Sequence, residues 1–252
     1  MSDQPFVSRV ALVTGAGRNI GRAIALALAG DGVAVAVNVR SSEREAQAVA
    51  DEITAAGGQA IVCLADVTDR AAVDAMIQKV RETYGRLDIV VNNAAIRHES
   101  PFQDTSYAAW RHALDVCLDG AFHCTQSALP LLKESDAASV INIGGLTAHT
   151  GASQRVHVVT AKAGLVGMTR ALAHDLAADG ITVNCVSPGL IDTQRGAANA
   201  PAPHHHAQRK TLLGRRGLPG EVAEAVRWLS GPGGRYITGQ VLHVNGGAYL
   251  GG

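Results

Sequence analysis

The chain has 252 residues, is 47% hydrophobic and 17% charged, and balances 22 basic side chains against 22 acidic ones. A net charge of zero gives no electrostatic basis for binding nucleic acid or anionic lipid, so neither partner is expected. Cys63, Cys117, Cys124 and Cys185 are scattered without a C-x-x-C pair, which argues against a disulfide scaffold and a metal cluster and fits the reduced thiols of a cytoplasmic protein. No apolar run approaches the roughly 20 residues needed to span a bilayer, and the polar start of the chain does not read as a signal peptide.

Taken in chain order, short β-branched runs alternate with longer Ala-rich amphipathic stretches. The runs cover 10–14, 33–39, 60–64, 87–91, 139–143, 181–186 and 240–244. The amphipathic stretches cover 20–29, 43–56, 70–83, 105–133, 157–178 and 220–229. Runs that are apolar throughout, without alternation, predict strands buried on both faces, as in a parallel sheet covered by helices. The pattern predicts one α/β domain over 1–252, a doubly wound parallel sheet of about seven strands with helices on both faces. Asp69 is placed to cap the helix that starts at Arg70, and Gly30 and Gly180 sit where helices should stop. The stretch 194–220, rich in Gly, Ala, Pro and His, is long for a loop and is expected to be a substrate lid. His204, His205 and His206 fall inside it, but adjacent side chains seldom converge on one ion, so no metal site is expected.

The first run leads into Gly15-Ala16-Gly17-Arg18-Asn19-Ile20-Gly21 and then into a helix. Glycines between a strand and a helix let backbone approach a pyrophosphate, and the helix start offers N–H donors and a positive dipole end. With the strand before and the helix after both present, the turn reads as a dinucleotide site. An acid at the end of the second strand would bond the ribose hydroxyls of NAD. Here the strand ends Val39-Arg40-Ser41. Arg40, with Arg18 from the turn, suits a 2′-phosphate, so NADP(H) is expected in preference to NAD(H).

Along essentially its whole length the sequence resembles the short-chain dehydrogenase/reductase family. The turn is similar to that family's T-G-x-x-x-G-x-G, with Asn19 at the middle glycine. Asp66-Val67 resembles the pair that flanks adenine, and Asn92-Asn93-Ala94-Ala95 resembles N-N-A-G. Pro188-Gly189-Leu190-Ile191-Asp192-Thr193 is similar to the segment that holds the nicotinamide, which implies Thr193 at the carboxamide. Ile237-Thr238-Gly239-Gln240 and Asn245-Gly246-Gly247 match the C-terminal strand. The resemblance implies a Rossmann-like fold, a small-molecule substrate, and a homodimer or homotetramer built on the helices near 105–133 and 157–178.

The resemblance also implies a catalytic tetrad of Asn, Ser, Tyr and Lys, and here the sequence departs from it. Lys162 stands at the lysine position, but Val158 occupies the tyrosine position, Gly145 the serine position and Cys117 the asparagine position. Tyr84, Tyr107, Tyr236 and Tyr249 all lie outside the segment before Lys162, and an enoyl-reductase tyrosine would fall at Arg155. Loss of a general acid costs about 10²–10⁴ in rate, so ordinary ketone reduction is not expected. Lys162 keeps a role, because its ammonium can bond the nicotinamide ribose. The expected reaction is hydride transfer to an imine, an iminium or an activated C=C, acceptors that need no phenol. His149 and His157 are the expected substitute acids, since imidazole titrates near neutrality, with Thr147 and Thr150 as further candidates close by in sequence. The alternative is a non-redox lyase, cyclase or hydrolase, or an NADP(H) sensor, on the same fold.

Overall fold

The protein is described by a computed structural model over residues 9–193 and 210–251. The first half runs β1 (Arg9–Val13), α1 (Asn19–Gly30), β2 (Val33–Val39), α2 (Glu43–Ala55), β3 (Ala60–Leu64), α3 (Arg70–Tyr84) and β4 (Ile89–Asn92). Then come α4 (Tyr107–Leu114), α5 (Gly120–Lys133), β5 (Ser139–Ile143), the short α6 (Thr147–Thr150) and α7 (Val156–Asp175). The described chain closes with β6 (Thr182–Pro188), α8 (Pro219–Ser230) and β7 (Val241–Val244). All seven strands join one parallel sheet in the order β3-β2-β1-β4-β5-β6-β7.

The unbroken apolar runs are explained by two cores, one on each face of the sheet. Val10 and Leu12 of β1 pack with α3 and α5 through Val73, Met76 and Leu132. Ala11 and Val13 pack the other way, against Ile24 and Leu28 of α1 and Val226 of α8. Successive strand residues thus feed opposite cores, as the period of two requires. The strand order reverses between β1 and β4, so the loops leaving their C-terminal ends diverge and open a crevice there.

Two local expectations are corrected. The stretch 105–133 is not one helix: α4 and α5 are joined by a wide π-helical turn over Asp115–Asp119. Helix α1 ends at Gly30 as expected, and the left-handed turn follows at Gly32, φ 77°. Strand β4 starts two residues late because Leu87 and Asp88 form a buried corner. There the Asp88 carboxylate accepts hydrogen bonds from the Val10 N–H at 2.7 Å and the Ser135 hydroxyl at 2.6 Å, with Arg86 beside it. Asp69 caps α3 as expected, accepting from the N–H groups of Ala71 and Ala72. Among the described residues no helix is long and apolar enough to cross a membrane. Residues 194–209, including the three histidines, lie outside the described residues; 210–220 are anchored, with Gly217 paired to Ile191.

Candidate active site

The turn between β1 and α1 is held by side chains from three strands. Gly15 has φ 62°, and a Cβ there would lie 3.0 Å from Ala94 Cα. At Gly21 a Cβ would lie 2.3 Å from the Gly15 carbonyl oxygen, so the turn can present only backbone at this point. The hydroxyl of Thr14 accepts from the N–H groups of Asn93 and Ala94 at 2.9 and 3.0 Å. Asn93 in return donates its amide to the carbonyls of Thr14 and Gly15 at 2.9 and 3.1 Å. From β2, the buried Asn38 accepts the Ala16 N–H at its carbonyl and donates its side-chain amide to the carbonyls of Cys63 and Ala65. Behind them Asn92 donates to Asn142 at 2.9 Å and to Thr125 at 3.0 Å, tying β4 to β5 and α5.

Arg18 precedes α1 and, with Gly15, Asn19, Ile20, Gly21, Asn93 and Arg97, bounds a cavity of about 420 Å³. Arg40 and Ser41 are exposed at the tip of β2, and Val67 is buried beside Asp66. Burial would raise the Asp66 carboxyl, but hydrogen bonds from the Thr68 N–H and hydroxyl, helped by the charges of Arg40 and His112, hold it below the usual range. One acid does approach the turn, from a helix rather than the strand tip: a Cβ on Gly17 would lie 3.3 Å from Glu45 Oε2.

Deeper in the crevice a cavity of about 100 Å³ is walled by Gly145, Val158, Lys162, Pro188, Gly189, Ile191 and Thr193. Lys162 is 7% exposed and donates from Nζ to the Ile143 carbonyl at 2.5 Å. Burial pushes its ammonium below the ordinary lysine value; Cys117 opposes that shift, while the charges of Arg97 and Arg155 add to it. Cys117 is buried in the π-helical turn, a distortion often found at functional sites. The Thr193 hydroxyl is buried with no hydrogen-bond partner among the described residues. A backbone-lined turn at a helix start, a buried lysine and an orphaned hydroxyl in one crevice fit a dinucleotide.

Neither histidine expected as a substitute acid lines this cavity. Val158 and Lys162, at i and i+4, share the face of α7 that looks into it, Arg155 enters its wall from the residue before the helix, and His157 is rotated off that face. Its ring is fully buried, 6.2 Å from that of His98. His149 packs against His243 at 4.6 Å and Tyr249 at 5.7 Å, on the far side of α6. Burial pushes both imidazoles below the ordinary histidine value.

Residues 15–249 match the family model described as enoyl-(acyl carrier protein) reductase. The 3-oxoacyl-[acyl-carrier-protein] reductase FabG of Staphylococcus aureus is 38% identical over 244 residues, covering 97% of this chain and 99% of the relative. The Escherichia coli FabG is 35% identical over 247 residues, with the same coverage of both chains. A short-chain dehydrogenase from Burkholderia cenocepacia, solved in complex with NADP, superposes with a TM-score of 0.89 at 36% identity, covering 97% of this chain and 99% of that one. The chain belongs to the short-chain dehydrogenase/reductase family.

Membership makes it an NAD(P)-dependent oxidoreductase by family, with the Rossmann-like sheet expected from sequence. It also gives Asn19 a physical reading. Its φ of 52° is left-handed, the conformation for which the short-chain dehydrogenase/reductase turn uses glycine and which asparagine tolerates better than most residues. A dehydrogenase/reductase of Sinorhizobium meliloti superposes with a TM-score of 0.91 at 38% identity, covering 97% of this chain and 96% of that one. Two charged wall residues carry no site role in the sequence reading, Arg97 and Arg155. Arg155, seven residues before Lys162, is the residue that precedes α7.

Proposed function

We propose that the protein is an NADP(H)-dependent reductase that delivers a hydride to a small unsaturated molecule without a tyrosine acid. The glycine turn and the start of α1 would hold the pyrophosphate, Arg18 and Arg40 the 2′-phosphate, Asp66 and Val67 the adenine, Lys162 the nicotinamide ribose and Thr193 the carboxamide. When bound, the reduced nicotinamide supplies the hydride; the chain supplies position and controls the proton. The observation that carries the reading is the wall around Lys162. Val158, 3% exposed, presents methyl groups one helical turn before the lysine, and nothing lies within 4 Å of where a Gly145 side chain would begin. Neither position offers a proton or an oxyanion donor, which favours imine, iminium or activated C=C acceptors.

A second reading has its own support. The relatives at 35–38% identity are named as 3-oxoacyl reductases, and Lys162 lies in the same wall with its ammonium pushed toward the neutral form. In a carbonyl reduction Lys162 itself would donate the proton to the developing alkoxide. NADPH oxidation followed with a 3-oxoacyl thioester, a cyclic imine and an activated alkene separates the two. The first reading expects turnover of the imine or alkene alone; thioester turnover that disappears in Lys162→Met would establish the second. No turnover with any of the three would return weight to a non-redox role or an NADP(H) sensor, which the reductase relatives do not favour. We further propose that residues 194–220 act as the substrate lid, and that exposed Tyr107 and Phe122 on α4 and α5 lie in a homodimer or homotetramer contact.

A further inference from the structure

We propose that His149, His243 and Tyr249 form a latch that fastens the C-terminal turn of the chain to the wall of the Lys162 cavity, and that acid releases it. The three rings come from three places in the fold: His149 from α6, His243 from β7 and Tyr249 from the turn beyond β7. His149 meets His243 edge-on, with ring centroids 4.6 Å apart, and stacks on Tyr249 at 5.7 Å. His243 and Tyr249 close the triangle at 5.0 Å. Aromatic edges and faces attract, so each ring is held by both others.

The latch joins two parts of the molecule. On one side α6 carries Thr147, which with Leu146 lines the cavity around Lys162. On the other, Asn245 folds the tail into a compact turn, donating to the Tyr249 carbonyl at 2.9 Å and accepting the Gly247 N–H at 2.8 Å. Residues 211–213 rest on that turn: the Leu213 N–H donates to the Gly246 carbonyl at 3.1 Å, and Leu212 fills the space where a Gly247 side chain would begin. Opening the triangle would loosen a cavity wall and the foot of the segment proposed as a lid. The second consequence rests on that lid reading; the latch itself does not.

Acid acts through what surrounds the two imidazoles. His149 Nε2 and His243 Nδ1 are buried with no hydrogen-bond partner among the described residues. A neutral imidazole can leave one nitrogen bare, but an imidazolium carries an N–H on both. Protonation would therefore bury a donor without an acceptor. No counter-charge offsets this: His149 faces His243 and Arg170 of α7, β6 sets the uncharged Ser187 beside His243, Tyr249 adds only a phenol, and no carboxylate acts on either ring. Burial holds both imidazoles below the ordinary histidine value, and at His149 the charges of His243 and Arg170 add to it. A proton is taken up more readily once Tyr249 and its turn have swung into water, so acid favours the open form.

The test is hydrogen–deuterium exchange of the full chain without ligand at pH 7.5 and pH 5.5, expressed as protection relative to the unfolded peptide so that the pH dependence of exchange itself cancels. The reporters are the amides of His149 and Gly151, bonded to the Leu146 and Thr147 carbonyls, and those of Gly247 and Ala248, bonded to Asn245. Their protection should fall about tenfold at pH 5.5, and the amides of β1 and β4 should fall less. His149→Phe combined with His243→Phe keeps aromatic rings without their titration and should hold the reporters at their neutral-pH protection. Tyr249→Ala should lower that protection at both pH values. Reporters unchanged in acid would overturn the inference, as would an equal fall in reporters and core strands, or a fall of the same size in the double variant. Should the double variant not fold, His243→Phe alone is held to the same outcomes. The measurement needs neither cofactor nor substrate, so its failure would leave the reductase and lid readings untouched.

Discussion

The two halves of the crevice share Ile20, Asn93 and Arg97 as a common wall, yet they are built on different rules. The dinucleotide half is backbone held by amides and hydroxyls: Thr14, Asn38 and Asn93 each make several hydrogen bonds, and Gly21 admits no side chain. A change at any of these positions disturbs the others. The other half is a set of side chains around Lys162 with room at one point of the wall, since nothing lies within 4 Å of where a Gly145 side chain would begin.

The largest effect should come from breaking the rigid half. Gly21→Ala puts a methyl group 2.3 Å from a carbonyl oxygen and forces the turn apart. Overpacking of this kind costs roughly 1–3 kcal/mol, and concentrated on the phosphate turn it should weaken NADPH binding by about 100-fold in a fluorescence titration. The equivalent insertion in the other half, Gly145→Ala, should leave NADPH affinity within a factor of about two.

Asn38→Ala should come next. It leaves the carbonyls of Cys63 and Ala65 without their donor and should lower the urea-unfolding free energy by about 1–3 kcal/mol. A smaller shift tests cofactor choice at the solvent edge. Arg40→Ala should cut the preference for NADPH over NADH by about tenfold, because a charged fork on a phosphate is lost. Glu45→Gln should raise that preference slightly, since it removes a carboxylate beside Gly17.

The smallest effect is a pH dependence. Burial holds His149, His157 and His243 below the ordinary histidine value. As pH falls through about 6.5 the unfolded chain takes up protons before the folded one does. Stability should therefore be full at neutral pH and above and be lost on acidification, seen as a falling Tm between pH 7.5 and 5.5. His157→Leu should flatten that slope, because a fully buried imidazole held below the ordinary histidine value is removed.

The rigid half was also the legible one. Glycines at fixed spacing, an apolar strand before them and an acid at Asp69 are local signals with local causes, and they led directly to β1, the turn and the cap of α3. The π-helical turn at Asp115–Asp119 left no such mark, since widening a helix by one residue preserves its amphipathic pattern. Leu87 and Asp88 read as strand because they are as buried as one; only the hydrogen bond to Val10 reveals the corner. His157, next to Val158, does not line the cavity because nearness in sequence does not fix direction: on a helix the next residue points about 100° away. Arg155 was overlooked for the opposite reason, as an arginine at a helix start looks like surface until the fold buries it.

The central proposal is that the cofactor half is complete while Val158, Gly145 and Cys117 stand where ordinary carbonyl reduction uses a phenol, a hydroxyl and an amide. The most direct measurement restores the first two. Val158→Tyr combined with Gly145→Ser, assayed by NADPH oxidation with a 3-oxoacyl thioester, should show activity about 100-fold or more above the unmodified protein, with NADPH affinity unchanged. Equal or faster reduction of that thioester by the unmodified protein would contradict the claim.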